Sequence, residues 1–112
     1  MPPETEPTPN EVLFVSSRRE GDRIVVTLEG ELDLHGAERL AAEVQRALAD
    51  SQIVEIDAEN LTFADSAGLR AVLLARAEAE RGGGSLRVIK VSPPVGRVIQ
   101  IAGLADELLP SA

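Results

Sequence analysis

The sequence predicts an α/β domain with a four- or five-stranded mixed sheet and helices packed mainly on one side. Three observations support this fold class. Runs of β-branched and apolar residues, typical of central strands, alternate with segments whose apolar residues recur at helical spacing. Strands that are joined through a helix lie parallel, whereas the first two runs are separated only by a short polar turn. The length of 112 residues suits one domain with one core.

The N-terminal segment differs in composition from the rest of the chain. Residues 1–11 are rich in Pro, Glu and Thr and show no apolar periodicity, so we expect a disordered tail. The remaining residues, 12–110, are expected to form the domain. Its first elements are a strand at 12–16, a central strand at 23–28 and a turn or bulge at Gly30.

Four helices and two further strands account for the remainder of the predicted domain. After Gly36, apolar residues recur every three or four positions and indicate an amphipathic helix that ends near Asp50. A second amphipathic helix is expected at 66–81, where three consecutive glycines terminate it. The other predicted elements are strands at 53–57 and 86–91, a helix capped by Ser92, and a short helix at 105–109.

The net charge of -8 indicates which partners the surface suits. Nucleic-acid binding needs a basic face that displaces counterions from phosphates, and the sequence shows no cluster of Lys and Arg. An acidic surface is also repelled by anionic lipid, and no apolar run approaches the roughly 18–20 residues of a membrane span. With no secretory signal and no cysteine for a disulfide framework, we expect a cytoplasmic protein whose partners are proteins.

The junction between the strand at 53–57 and the helix at 66–81 carries the pentapeptide Asp65-Ser66-Ala67-Gly68-Leu69. A serine at a helix start lies at the positive end of the helix dipole, where an attached phosphate is tolerated. An Asp or Ser before a helix is also a common N-cap, so the pentapeptide alone leaves a purely structural role open. Functional loops gather beyond the carboxyl ends of parallel strands, which predicts an acidic rim here. Its expected members are Glu31, Asp33, Asp57, Asp65 and the hydroxyl of Ser66.

Four segments, in matching order, resemble the anti-sigma factor antagonists, which are small STAS-domain proteins. The segments are Gly30–Asp33, Ile53–Leu69, Gly82–Leu86 and Ser92–Leu104, and the similarity extends from about Val12 to Leu109. The resemblance implies a single STAS domain in a bacterial regulator of transcription that is not an enzyme.

By this resemblance, Ser66 matches the serine that is phosphorylated in the family. The implied partner is an anti-sigma factor that is itself the serine kinase and has the histidine-kinase-like ATPase fold; a phosphatase is expected to reverse the modification. Unphosphorylated antagonist binds the anti-sigma factor and frees a sigma factor, and phosphorylation releases it (partner switching). Ala67 stands where a second Ser or Thr is common in the family. The residues expected to bind the partner are Glu31, Asp33, Asp65, Ser66, Ala67, Gly68 and Leu69.

Two other functions remain open on the sequence. STAS domains also serve as constitutive scaffolds or adapters, in a stressosome or a lipid-transport complex. A serine hydrolase that uses Ser66, His35 and an Asp is disfavoured because Ala64 replaces the first glycine of the Gly-x-Ser-x-Gly elbow. Paired His or Cys motifs and glycine-rich phosphate loops are absent from the sequence, so neither a metal nor a cofactor is expected.

Overall fold

The computed structural model describes residues 12–110, so the tail expected at 1–11 lies outside the described residues. Within them the chain forms an α/β domain with four strands and four helices, as expected. In chain order these are β1 (Leu13–Glu20), β2 (Arg23–Leu32), α1 (Leu34–Asp50), β3 (Ile53–Ala64), α2 (Ser66–Arg81), β4 (Ser85–Val91), α3 (Pro93–Ile101) and α4 (Ala105–Leu108).

The four strands form one mixed sheet in the order β1-β2-β3-β4. A tight turn at Gly21, which has a φ of 63°, joins β1 to β2, and these two strands pair antiparallel. The pairs β2–β3 and β3–β4 are both parallel, with α1 and α2 as the connecting helices. The expected mixed sheet and both helix-joined parallel pairs are therefore confirmed, and the number of strands is four.

Strand β3 is much longer than the strand predicted at 53–57. Its second half contains Glu59 and Asn60, which are poor strand formers and resemble a loop in the sequence. Pairing with β2 nevertheless holds this half in the sheet, with register shifts that absorb extra residues in β3. The pairs formed here are Glu29 with Asn60, Gly30 with Leu61, Glu31 with Phe63 and Leu32 with Ala64.

Gly30 lies inside β2 rather than ending it, so β2 continues for four residues beyond the predicted strand at 23–28. The bulge expected at Gly30 is present as a register shift between Gly30 and Glu31. Gly30 has a φ of 101°, and a Cβ atom there would lie only 2.1 Å from the carbonyl oxygen of Val12. Only glycine fits this conformation and this close approach.

The hydrophobic core lies between one face of the sheet and the helices. Alternate residues of a strand point to opposite faces, and Ile24, Val26 and Leu28 of β2 all point into the core. All four helices contribute buried side chains to this same cluster, so they pack on one face. Typical helix contributions are Leu40, Val44, Leu69, Val72, Val95, Ile99 and Leu108.

The opposite face of the sheet carries charged side chains. Arg23 of β2 donates a hydrogen bond of 2.8 Å to the Glu55 carboxylate of β3, whose side chain is only 11% exposed. This hydrogen bond, with the accompanying charge attraction, raises the pKa of the Arg23 guanidinium above its ordinary value. The pair compensates a carboxylate that would otherwise be buried alone.

Ser92 precedes α3, as predicted, but the expected capping bond is not formed. An N-cap oxygen accepts from the N–H of the second or third helical residue; the second, Pro94, has no N–H, and the Ser92 hydroxyl does not accept from the third, Val95. The hydroxyl oxygen of Ser92 is buried without a hydrogen-bond partner. The start of α3 therefore depends on the fixed φ of proline and on the bond from the Gly96 N–H to the Ser92 carbonyl.

Candidate functional site

Helices α1 and α2 begin side by side at the carboxyl-terminal edge of two adjacent parallel strands. Each helix has an aspartate N-cap, which is Asp33 for α1 and Asp65 for α2. The Asp33 Oδ1 atom accepts from the Gly36 N–H at 3.1 Å, and the Asp65 Oδ1 atom accepts from the Gly68 N–H at 2.8 Å. The same Asp-x-x-Gly pattern therefore caps both helices.

The two helix starts are also joined through the backbone. The N–H of Asp65, the cap of α2, donates to the carbonyl oxygen of Leu32 at a distance of 3.2 Å. Leu32 is the residue before Asp33, the cap of α1. Gly68 lies against the same carbonyl, because a Cβ atom there would be 2.3 Å from the oxygen. The absence of a side chain at Gly68 thus lets the first turn of α2 pack closely on the end of β2.

Ser66 is the first residue of α2 and is exposed. At this position its own N–H and that of Ala67 belong to the first turn, where backbone donors lack helical acceptors. The Asp65 carboxylate is committed to the Gly68 N–H on the inner side of that turn. The side chain of Ser66 is thus accessible to solvent and close to the positive end of the helix dipole.

The other residues expected to bind a partner divide into accessible and buried groups. Glu31 is exposed, and Asp33, Asp65 and Ala67 are partly exposed, all within three residues of a helix start. Gly68 and Leu69 are buried instead, and Leu69 is only 3% exposed. Both residues serve the packing of α2 on the sheet, so the surface at the helix starts is formed by the accessible group.

Asp57 does not belong to the rim at the helix starts, contrary to the expectation from the sequence. It lies opposite Thr27, whereas the end of β3 lies opposite Leu32. Five residues of β2 separate these two levels, which corresponds to about 17 Å. The long β3 therefore places Asp57 in the middle of the sheet, where its carboxylate accepts from the Glu59 N–H at 3.0 Å.

Two large apolar side chains next to the helix starts were not identified from the sequence. Leu34, the first residue of α1, is 67% exposed, and Phe63, two residues before Asp65, is 46% exposed. Leu34 occupies in α1 the position that Ser66 occupies in α2. A signal was available, because neither residue fits the apolar repeat of its own element. Apolar groups at a polar edge are typical of protein-binding surfaces.

The arrangement does not resemble a hydrolase or a metal site. Within residues 12–110, no hydrogen bond joins Ser66 to His35, and His35 is exposed. Among the same residues, no three His, Asp or Glu side chains lie close enough together to hold a metal ion.

None of the helices in this part of the chain is long and apolar enough to cross a membrane.

Comparison with known proteins gives consistent results. A family model described as "Mlab, STAS domain" matches residues 15–110. An anti-sigma F factor antagonist from Paenibacillus polymyxa is 32% identical over 83 residues, which are 72% of this chain and 71% of the relative.

Solved structures of SpoIIAA, an anti-sigma factor antagonist, are also similar. The unphosphorylated form is 27% identical with a TM-score of 0.72, over 88% of this chain and 89% of that one. The phosphorylated form from Bacillus is 26% identical with a TM-score of 0.65, over 88% and 92% of the two chains. The fold is thus that of a STAS domain. The chain belongs to the anti-sigma factor antagonist family of STAS-domain proteins.

Proposed function

We propose that this protein binds an anti-sigma factor when Ser66 is unmodified and releases it when the Ser66 hydroxyl is phosphorylated. Membership of the antagonist family supports the regulatory role and the class of partner. The observation that carries the assignment of the switch is the position of Ser66, exposed at the first residue of α2. In this proposal the protein is the substrate of a kinase in the cytoplasm and performs no catalysis itself.

The energetics favour a switch that acts on binding and leaves the fold intact. A phosphoserine carries about -1.5 to -2 charges at neutral pH. The dipole of α2 offsets part of this charge, by roughly 0.3–1 kcal/mol. At a covered interface the same charge costs several kcal/mol unless the partner supplies a cation. Glu31, Asp33 and Asp65 are nearby carboxylates that add repulsion. A loss of affinity of about 100-fold corresponds to only about 2.8 kcal/mol.

The proposed partner is an anti-sigma factor that is also a serine kinase of the histidine-kinase-like ATPase fold. It uses ATP to transfer a phosphate to Ser66, and a phosphatase reverses the reaction. The accessible contact residues of this protein are Glu31, Asp33, Asp65, Ser66 and Ala67. Because Ala67 offers no hydroxyl, the kinase has a single acceptor at this helix start.

The test uses the purified protein together with the anti-sigma factor that it binds from its own organism. Incubation with ATP followed by mass spectrometry is expected to locate one phosphate on Ser66. The Ser66→Ala protein is expected to stay unphosphorylated and to bind persistently, and the Ser66→Asp protein to bind weakly. Ser16→Ala, which changes an exposed serine on β1, is the matched control and is expected to behave as the wild type. Phosphate on another residue, with Ser66 unmodified, would refute the assignment.

A constitutive STAS scaffold or adapter, in a stressosome or a lipid-transport complex, is the second candidate, because the matching family model is described as a STAS domain and not as an antagonist. This function predicts that the wild type forms no complex with an anti-sigma factor and that Ser66→Asp leaves binding to the adapter's own partner unchanged. The same binding experiment therefore separates the two functions.

A further inference from the structure

A groove lies between α1 and α2 and encloses about 250 Å³. Alanine is the commonest residue of its lining, so the two helices leave an open channel between them. The apolar lining consists of Ala37, Ala41 and Val44 of α1 and Ala71, Leu74 and Ala75 of α2. The groove is therefore a shallow apolar surface between the two helices.

Two exposed leucines extend this surface. Leu74, in the lining, is 60% exposed, and Leu34 is 67% exposed. Leu34 precedes Ala37 and Glu38 by one helical turn, which places it on the same face of α1. Only five large hydrophobic side chains are exposed within residues 12–110, and two of them lie along this groove. Exposed apolar surface concentrated in one place indicates an interaction site.

The groove continues from the site proposed for phosphorylation. Ala67 follows Ser66 and precedes Ala71 by one turn, so it lies on the groove face of α2. At this end, the starts of α1 and α2 are neighbours. A protein that covers Ser66 can therefore extend along the groove without leaving the surface.

The charges around the groove indicate what occupies it. Its walls carry Glu38 and Glu78, and no Lys or Arg belongs to the lining. Arg81 pairs with Glu78, but both side chains are largely exposed and such a pair contributes little. A second copy of this chain would bring the same two carboxylates into contact. The segment 1–11 contains three glutamates and no basic residue, so it is repelled as well.

We propose that the groove binds an amphipathic helix of the anti-sigma factor, with its apolar face on Leu34 and Leu74 and with Lys or Arg side chains beside Glu38 and Glu78. This inference rests on the proposed function. From Ala37 to Gln45, α1 rises about 12 Å, which matches roughly two turns of a bound helix. Binding of a helix in an apolar groove, anchored at every third or fourth residue, is a common mode of recognition.

Binding measurements with four glutamate variants test the groove. Ala41→Glu and Leu74→Glu place a charge inside it and are expected to weaken binding of the anti-sigma factor by about tenfold or more. Ala42→Glu and Ala77→Glu change exposed alanines of the same two helices outside the lining, and are expected to stay within about twofold of the wild type. Thermal unfolding of all four variants is compared, so that a loss of folding is recognised. Equal affinities for the two pairs of variants would overturn the inference.

A cross-linking experiment identifies the occupant. The chain has no cysteine, so Leu74→Cys can be labelled uniquely with a benzophenone and irradiated in the complex. The expected product joins position 74 to a helical segment of the anti-sigma factor that contains Lys or Arg. A cross-link to a second copy, to residues 1–11, or to a partner segment without basic residues would overturn the inference. Ala77→Cys, labelled in the same way, is the control and is expected to give little product.

The outcomes also separate this inference from the proposed function. If Ser66→Asp weakens binding and the groove variants do not, the proposed function stands and the groove proposal is wrong. If the groove variants weaken binding and Ser66→Asp does not, the groove is confirmed and the phosphorylation switch is wrong. If the wild type binds no anti-sigma factor at all, both are wrong.

Discussion

Gly68 lies directly against Leu32, with space for a hydrogen but not for a methyl group between Cα of Gly68 and the carbonyl oxygen of Leu32. This contact joins the first turn of α2 to the last residue of β2. The separation of α2 from the sheet is therefore fixed within two residues of Ser66. Changes at this contact are expected to affect both stability and the position of the hydroxyl.

The substitution Gly68→Ala is expected to destabilise the protein by about 1–3 kcal/mol, because the added methyl group forces α2 away from β2. Gly82→Ala is the matched control. Gly82 has a φ of -84°, and a Cβ atom there would meet its nearest neighbour at 3.7 Å, an ordinary contact. Denaturant unfolding measures both variants. Equal stability of the two would contradict the packing described for Gly68.

Two substitutions of Asp65 distinguish the contribution of its capping hydrogen bond to stability from the contribution of its negative charge. Asp65→Ala removes the acceptor of the Gly68 N–H and is expected to cost about 1 kcal/mol of unfolding free energy. Asp65→Asn keeps an acceptor oxygen and is expected to stay close to the wild type in stability. The two variants are compared by chemical denaturation. If Asp65→Asn is as unstable as Asp65→Ala, the charge rather than the cap accounts for the effect.

Phosphorylation of Ser66 is expected to leave the folded state intact. The phosphate lies at the start of α2, where the dipole favours negative charge by roughly 0.3–1 kcal/mol. Thermal unfolding and far-UV circular dichroism of the modified and unmodified proteins are the measurements. We expect the same helix content and a stability that differs by no more than about 1 kcal/mol. Loss of helix signal on phosphorylation would show that the switch acts by unfolding instead.

The ion pair on the open face of the sheet gives a fourth prediction. Arg23→Ala leaves the mostly buried Glu55 carboxylate without its guanidinium partner and is expected to lower the denaturant midpoint of unfolding. Arg46→Ala is the control, because its pair with Glu43 involves an arginine that is 72% exposed. This control is expected to change stability by about 0.5 kcal/mol or less. Denaturant midpoints compare the two, and a larger loss for Arg46→Ala would contradict the assignment.

The parts of the fold that could be predicted are those that local pattern determines. The apolar repeat of α2 and the three glycines after it predict a helix at 66–81, and the structure has the same bounds. The second half of β3 could not be predicted in this way. Glu59 and Asn60 favour a loop locally, and their place in the sheet depends on pairing with β2, which is distant in sequence.

The same distinction applies to the site. Ser66 and its cap Asp65 could be found because an Asp next to a helical repeat is a local signal. Asp33 was expected only in the acidic rim, because the first helix was expected after Gly36, whereas α1 begins at Leu34 and is capped by Asp33. Asp57 was misplaced because its distance from Ser66 depends on the length of β3. The burial of Leu69 and the exposure of Leu34 depend on which side of each helix meets the sheet, and single positions near a helix start do not determine this.

The two neighbouring helix starts affect the acid–base behaviour of a phosphate group on Ser66. Both α1 and α2 direct positive dipole ends toward the same edge, so a dianion there experiences the field of two helices. The positive field favours the doubly charged form of the phosphate, whereas the carboxylates of Asp33 and Asp65 at the same two helix starts disfavour it. The second pKa of the phosphoserine therefore measures how far the two helix dipoles outweigh the neighbouring carboxylates.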